Sequence, residues 1–169
     1  TTGTPVQTLW SRKDVENIKK FTARFLWGMG VRKGDIIHNA FNYGLWVAGL
    51  AVHYASDLLD CPIIPIGEKS YKRQIDYLVN HLPKVIFSTP AFCLKLIEKL
   101  NLRNLHANDL SLKLGAFGGG PGVEIKNIRK KVENGLGIKA FDIYVIWNPG
   151  LFFSQQNYTS QNNIEYIVQ

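Results

Sequence analysis

The sequence predicts an α/β fold whose strands form a mainly parallel sheet. Short apolar runs alternate about five times with longer segments in which apolar residues recur at helical spacing. This alternation is typical of chains in which helices cross between parallel strands. The chain has 169 residues, of which 46% are hydrophobic. That is enough material for one buried core, so we expect one such unit, or most of one.

The first predicted helix covers residues 14–29, where apolar side chains recur roughly every three or four positions. Ser11 or Asp14 is expected to cap its start, and Gly30 and Gly34 follow its end. The second predicted helix covers residues 43–59. It consists mostly of small and apolar residues, so we expect it to be largely buried.

The remaining elements continue the alternation. A proline begins the helix predicted at 90–100, because its missing N–H leaves no helical hydrogen bond unmade there. Two further helices are predicted at 72–81 and 123–136. Strands are predicted at 35–40, 62–66, 84–88, 112–117 and 138–144.

The character of the chain changes after residue 144. Residues 154–163 are rich in Gln, Asn and Ser and show little apolar periodicity, so they are predicted to form a loop or flexible tail. A short final strand is predicted at 164–168. We therefore divide the chain into an α/β part at 1–144 and a divergent C-terminal segment at 145–169.

Charge, hydrophobicity and cysteine spacing argue against nucleic-acid binding, a membrane span and a cysteine metal site. The net charge is +7, but the basic residues are scattered, and the group at 126–131 falls on a predicted helix. A solvated helix face is the simpler interpretation, with a nucleic-acid-binding face as the alternative ranked last. No apolar run has the length of a membrane span. Cys61 and Cys93 lie in apolar surroundings without metal-like spacing, which favours buried, reduced thiols in a cytoplasmic protein.

Three short segments carry residue types suited to a nucleotide site. Thr-Thr-Gly-Thr-Pro at 1–5 could wrap an anion with hydroxyls and backbone N–H groups, or could be a disordered terminus. Gly-Gly-Gly-Pro at 118–121 could lie against a ligand or form an ordinary turn. Asp-Ile-Tyr at 142–144 ends a predicted strand, where the Tyr could stack on a base or pack in the core. Ligands of parallel sheets bind beyond the carboxyl ends of the strands, which favours the last two segments as a site.

These segments, together with residues 30–45, resemble the adenylate-forming acid–CoA ligases, most closely the phenylacetate–CoA ligase branch. Residues 30–45 read GVRKGDIIHNAFNYGL and look like the family's G-V-R-x-G-D-I-x-H-N-A-x-x-Y-G-L stretch. Residues 115–121 are similar to its G-x-F-G-A-E-P segment, and 142–144 are identical to the start of D-I-Y-G-L-S-E. The similarity runs continuously from residue 1 to about residue 144, which identifies 1–144 as a partial AMP-binding domain.

The resemblance implies a reaction and its participants. A carboxylate attacks the α-phosphorus of ATP to give acyl-AMP and pyrophosphate, and the thiol of coenzyme A then displaces AMP. ATP or AMP, Mg²⁺ and coenzyme A are the implied cofactors, and an aryl or related carboxylic acid is the implied substrate. Nucleic acid and membrane are not expected partners, and a homodimer is left open.

The resemblance also assigns candidate site residues. Tyr43 and Trp46, taken as one turn apart on the second predicted helix, would line the acyl pocket, with plain core packing as the alternative. His53, on the same helix, is expected to be a hydrogen-bonded core residue. The residues implied in nucleotide binding are Thr1, Thr2, Gly3, Gly118, Gly119, Gly120, Pro121, Asp142, Ile143 and Tyr144.

The sequence departs from the family pattern at the metal position. The family's Glu, which binds Mg²⁺, aligns without gaps with Asn148; alternatively, residues 148–150 match a later Gly-Pro-Gly of the family and a deletion is implied. In either alignment no carboxylate stands at the metal position, and a hard cation prefers a carboxylate. Gly119 and Gly120 stand where the family has Ala and Glu. No residue matches the catalytic lysine of the family's C-terminal domain, which is expected to be absent. The alternative is therefore a degenerate or truncated, non-catalytic nucleotide- or acyl-binding member of the family.

Overall fold

The computed structural model describes residues 9–44, 47–67, 69–146, 152–158 and 164–166. Within these ranges the α-helices are α1 (Arg12–Met29), α2 (Val47–Leu58), α3 (Tyr71–His81), α4 (Pro90–Asn101) and α5 (Lys126–Leu136), with a 3₁₀ turn at Ala107–Asp109. The strands are β1 (Ile37–Asn39), β2 (Ile63–Ile64), β3 (Val85–Ser88), β4 (Leu114–Phe117), β5 (Lys139–Ile146), β6 (Phe152–Tyr158) and β7 (Ile164–Tyr166).

The strands form one sheet in the order β2-β1-β3-β4-β5-β6-β7. The strands from β2 to β5 run parallel to one another. β6 pairs with β5 in the antiparallel sense, and β7 pairs with β6 in the same way. The predicted α/β architecture with a mainly parallel sheet is therefore confirmed.

Alternate residues of the parallel strands contribute to two apolar clusters, because successive side chains of a strand point to opposite faces. Ile86 packs with α3, α4 and α5 in the first cluster. Val85 and Phe87 pack with α1 and α2 in the second. Strands β1, β3 and β4 are thus buried between two helical layers, and ligands of such parallel sheets bind at the carboxyl ends of the strands.

Local signals explain how two of the helices begin and end. The Ser11 hydroxyl accepts the Asp14 N–H at 3.2 Å, and the Asp14 carboxylate accepts the Ser11 N–H at 2.8 Å, so Ser11 is the cap. Gly30 ends α1 with a left-handed φ of 103°, a conformation that favours glycine. Thr89 caps α4 by accepting the Phe92 N–H at 3.2 Å, and Pro90 follows it.

The predicted start of the second helix is wrong. Helix α2 begins at Val47, so Tyr43 precedes the helix and does not lie on it. Asn42 favours a turn here, since its side-chain oxygen accepts the Gly44 N–H at 3.3 Å. A Cβ on Gly49 would overlap the Asn42 carbonyl oxygen. The helix and the preceding turn therefore lie in direct backbone contact.

The predicted loop at 154–163 is wrong over residues 154–158, which belong to strand β6. Ser154, Gln155 and Gln156 pair with Tyr144, Ile143 and Asp142 of β5. A strand that is held by main-chain pairing does not need apolar periodicity, which is why composition failed to indicate it. The short strand predicted at 164–168 is confirmed at Ile164–Tyr166.

Both cysteines are free and buried, as predicted. Burial raises the pKa of Cys93 to about 12, and burial also raises the pKa of Cys61. In the described ranges, no helix combines the length and apolar character that crossing a bilayer requires.

Candidate functional site

The glycine turn at 118–121 begins where β4 ends. A Cβ on Gly118 would lie 2.8 Å from the Ile143 carbonyl oxygen, so only glycine fits between the two main chains. Its N–H donates to the Ser88 carbonyl of β3 at 3.3 Å. The turn is therefore anchored to the strands on both sides of β4.

The next two glycines are exposed, as is Pro121. Gly119 has a left-handed φ of 82°, and a Cβ there would meet Thr89 Cγ2 at 3.5 Å. Gly120 has no atom within 4 Å of the position a Cβ would take. The turn thus presents bare main chain to solvent at the carboxyl edge of the sheet, where a flat ligand could lie directly against peptide groups.

The second predicted segment lies beside this turn. Asp142 pairs with Phe117 in the last parallel rung between β4 and β5, and Ile143 packs against Gly118. The prediction that a strand ends at Tyr144 is wrong, because β5 continues to Ile146 along β6. The structure therefore brings the glycine turn and the 142–144 segment together, as expected from the sheet topology.

Asp142 is a half-buried acid close to two other charged side chains. Burial raises the pKa of its carboxyl above the usual range, the Glu124 charge raises it further, and Arg129 acts in the opposite direction. A backbone hydrogen bond from Ile143 also lowers it. Glu124 is held in place because its carboxylate accepts the Gly122 N–H at 2.6 Å. The pKa of the Asp142 carboxyl therefore depends on charged side chains of the loop and helix that follow the glycine turn.

A second polar cluster lies at the carboxyl end of β1. The Asn39 side-chain amide donates to the Tyr43 hydroxyl at 2.7 Å and to the Gly49 carbonyl at 3.0 Å. The Tyr43 oxygen lies 3.4 Å from His53 Nδ1. Burial raises the pKa of Tyr43 to about 12, so it is neutral. His53 is half-buried and close to a hydrogen-bonding partner, which agrees with its predicted role as a core residue.

Sequence reasoning missed Asn39 and the buried pair behind it. His38 is fully buried, and its Nε2 lies 2.5 Å from Gln74 Oε1. Gln74 in turn donates to the Gly67 carbonyl at 2.6 Å. Burial lowers the pKa of His38 to about 4. The available signal was that His38 and Asn39 are polar residues inside a short apolar strand. Buried polar side chains need hydrogen-bond partners, so these two residues indicate a polar cluster.

Several predicted site residues lie outside the described residues. These are Thr1, Thr2, Gly3, Trp46 and Asn148. Tyr144 is described by its backbone, which pairs with Ser154. Across the described ranges, no three His, Cys, Asp or Glu side chains converge as metal ligands. Among the described residues, Asp142 and Glu124 are two carboxylates close to each other beside the glycine turn, with Arg129 nearby.

The chain matches no family model, but it is similar to curated enzymes over most of its length. It is 37% identical over 146 residues to the phenylacetate-coenzyme A ligase of Escherichia coli (strain K12), covering 85% of this chain and 33% of that enzyme. It is 33% identical over 154 residues to the Pseudomonas putida enzyme of the same name, covering 89% and 35%. The chain is homologous to part of the phenylacetate-coenzyme A ligases. It spans about a third of the length of these curated relatives.

The chain also shares its fold with solved structures of other CoA ligases. A 2-hydroxyisobutyryl-CoA ligase, crystallised with 2-HIB-AMP and CoA, superposes with a TM-score of 0.79 at 27% identity. The match covers 84% of this chain and 30% of that one. A benzoate CoA ligase from Burkholderia xenovorans LB400 shares the fold, with a TM-score of 0.64 at 15% identity. The fold is therefore that of adenylate-forming CoA ligases, as the sequence predicted.

Proposed function

We propose that this chain forms the adenine-nucleotide-binding part of an AMP-forming acid–coenzyme A ligase. The observation that carries the proposal is the approach of Gly118 to Ile143, which sets bare peptide groups beside Asp142 at the carboxyl edge of the sheet. The similarity to phenylacetate-coenzyme A ligases supports it. The bound nucleotide would lie against the turn at 118–121, with 142–144 on its other side.

The proposed reaction has two steps. A carboxylate oxygen of the acid attacks the α-phosphorus of ATP and releases pyrophosphate, giving acyl-AMP. The thiol of coenzyme A then attacks the acyl carbon and releases AMP. ATP, coenzyme A and the acid are the proposed partners, and the free, buried thiols are compatible with a cytoplasmic location. Mg²⁺ would neutralise the phosphates, and residue 148, which aligns with the family's Mg²⁺-binding position, lies outside the described residues.

The proposed substrate is an aryl or related carboxylic acid. Tyr43 is neutral and its hydroxyl is already engaged by Asn39, so its ring can offer an uncharged, oriented wall. Phe41 is buried close by, with its ring centroid 6.2 Å from that of Phe87. Such surroundings favour an apolar aromatic group over a charged one.

A second candidate function is nucleotide or acyl binding without catalysis. It is favoured by the sequence around residue 148, where Asn stands at the position of the family's Mg²⁺-binding Glu. A neutral amide offers one oxygen and no charge to a hard cation. This candidate keeps the glycine turn as the binding site but predicts that Mg²⁺ has no effect.

Isothermal titration of the chain with AMP and with ATP, each with and without Mg²⁺, tests both candidates. Saturable binding of AMP supports the nucleotide site, and tighter ATP binding with Mg²⁺ favours the ligase over the non-catalytic protein. No heat with either nucleotide at millimolar concentrations would overturn the nucleotide site in both candidates.

A matched pair of variants locates the site. Gly120→Ala adds a methyl group where the protein leaves open space, so it should weaken AMP about tenfold or more while the fold is unchanged. Gly44→Ala, at a turn far along the sequence from the site, is the control. Equal AMP affinity for Gly120→Ala and the unaltered chain would place the nucleotide elsewhere.

A further inference from the structure

Strand β5 makes two hydrogen bonds with side chains of the preceding helix, donating one and accepting the other. The Ala140 N–H donates to Glu133 Oε1 at 3.0 Å, and the Ala140 carbonyl accepts from Arg129 Nη1. Arg129 and Glu133 are four residues apart on α5, so they lie on one face of the helix. Both polar groups of one buried peptide position are thus held by a neighbouring element.

The position of Ala140 explains why side chains do this. The ladder between β5 and β6 begins at Asp142, which pairs with Gln156. Ala140 lies before that point and is 2% exposed. Ala140 pairs with Gly115 of β4 on one side, but the register of β5 with β6 gives it no β6 partner within the described residues on the other. A buried N–H and C=O on that side need hydrogen-bond partners. Arg129 and Glu133 supply them, and we call this pair the α5 clamp.

The α5 clamp also reaches the loop that follows the glycine turn. Arg129 Nε donates to the Val123 carbonyl at 2.8 Å, and Val123 is fully buried. One guanidinium therefore ties this loop to β5. Farther back in the loop, Gly122 packs so closely on Pro90 that a Cβ would overlap it. The loop is thus held by Pro90 at one point and by Arg129 at another, which restricts the motion of the glycine turn before it.

We propose that Arg129 is a positioning residue that holds the glycine turn at 118–121 in register with Asp142 and Ile143. Glu133 completes the α5 clamp by fixing Ala140, two residues before Asp142. This inference rests on the proposed function, since it concerns the same nucleotide site. Arg129 is not assigned a contact with the nucleotide. It acts by preorganising the main chain, and a preorganised site binds more tightly because less order is lost on binding.

The charge of Arg129 gives the α5 clamp a measurable signature. The charges facing Asp142 are Glu124, which raises the pKa of its carboxyl, and Arg129, which lowers it. Removing the Arg129 charge should therefore move the Asp142 titration to higher pH. A residue that served only the fold would not shift the pH dependence of ligand binding in this direction.

The first arm of the test measures amide hydrogen exchange without ligand. Arg129→Met removes the donors and keeps the apolar stem, and Lys130→Met, on the exposed side of α5, is the control. Exchange at 118–124 and 140–143 should rise about tenfold or more in Arg129→Met, while α1 is unchanged. Unchanged exchange at 118–124 would overturn the proposal. If Arg129→Met does not fold, Glu133→Met is compared with Glu133→Gln, which keeps an acceptor oxygen for Ala140.

The second arm measures AMP affinity against pH. Arg129→Met should weaken AMP about tenfold and move the acid limb of the binding profile to higher pH. Arg129→Lys keeps the positive charge but cannot donate to the Val123 and Ala140 carbonyls with the geometry of a guanidinium. It should therefore restore the pH dependence of AMP binding but only part of the AMP affinity. Unaltered affinity in Arg129→Met would overturn the proposal. If the unaltered chain does not bind AMP but hydrogen exchange responds as expected, the proposed function is overturned. Arg129 would then order the glycine turn without serving a nucleotide site.

Discussion

Gly118 and Ile143 approach so closely that a Cβ on Gly118 would lie 2.8 Å from the Ile143 carbonyl oxygen. The contact joins the end of β4 to the middle of β5, and it is made by main chain alone on the Gly118 side. It determines how near the glycine turn lies to Asp142. Substitutions at Gly118 and Gly120 should therefore distinguish a position where the protein has no room for a side chain from one where only a ligand would exclude it.

Gly118→Ala should destabilise the chain by about 1–3 kcal/mol, because the added methyl group must push β4 and β5 apart. Urea unfolding followed by circular dichroism measures the loss. Gly120→Ala is the matched control, with open space at its Cβ position, and should stay within about 0.5 kcal/mol of the unaltered chain. Equal stability of the two variants would show that the strands adjust freely at this point.

Asn39→Ala should cost about 1–3 kcal/mol, since it removes the donor to both the Tyr43 hydroxyl and the buried Gly49 carbonyl. Tyr43→Phe removes one of those bonds and should cost less, about 1 kcal/mol. The double variant, in a thermodynamic cycle, measures the coupling between the two side chains. A coupling energy near zero would mean that the 2.7 Å contact does not orient Tyr43.

Stability should fall as the pH drops from about 6.5 to about 4, because His38 resists protonation in the folded chain. Burial lowers the pKa of His38 to about 4, with Gln74 opposing and His81 adding to the shift, whereas an unfolded histidine titrates near 6.5. The unfolded state therefore takes up a proton first over this interval. About 3 kcal/mol of stability present above pH 6.5 is lost by about pH 4.

Urea unfolding at several pH values checks this prediction. His38→Gln has no titrating ring, so its stability should vary less over the same interval than that of the unaltered chain. Parallel pH curves for the two proteins would contradict the pKa of His38.

Cys93 should resist alkylation in the folded chain at pH 8. Its thiol is fully buried and burial raises its pKa to about 12, so the reactive thiolate is scarce. Cys61 is 6% exposed and its Sγ donates to the Arg32 carbonyl at 3.3 Å, so it should react slowly but ahead of Cys93. Mass spectrometry after iodoacetamide treatment, with and without urea, follows both sites. Rapid native labelling of Cys93 would contradict its burial.

Elements governed by local chemistry could be predicted from the sequence. The alternation of strands and helices gave the parallel sheet, and Ser11 with Asp14 carried a capping pattern that the structure forms. The start of α2 could not be predicted from periodicity, because the apolar pattern continues through a turn that Asn42 and Gly44 create. Local propensity competes with pattern at such a boundary.

The candidate site was predictable where glycines and strand ends mark it. The approach of 118–121 to 142–143 follows from parallel topology, which places successive strand ends at one edge. Asn39 and Arg129 could not be assigned roles from sequence, because each bonds to main chain of another segment. Such contacts depend on how elements pack and leave no spacing pattern along the chain.

The hydrogen bonds that Ala140 makes with Arg129 and Glu133 also bear on the register of β6 against β5. A β6 strand that slid two residues along β5 would keep its faces unchanged, so apolar patterning alone would not reject the error. The slid strand would have to displace the guanidinium and the carboxylate from Ala140. Side chains of the helix that precedes β5 thus oppose this shift of the strand that follows it, which favours the pairing of Asp142 with Gln156.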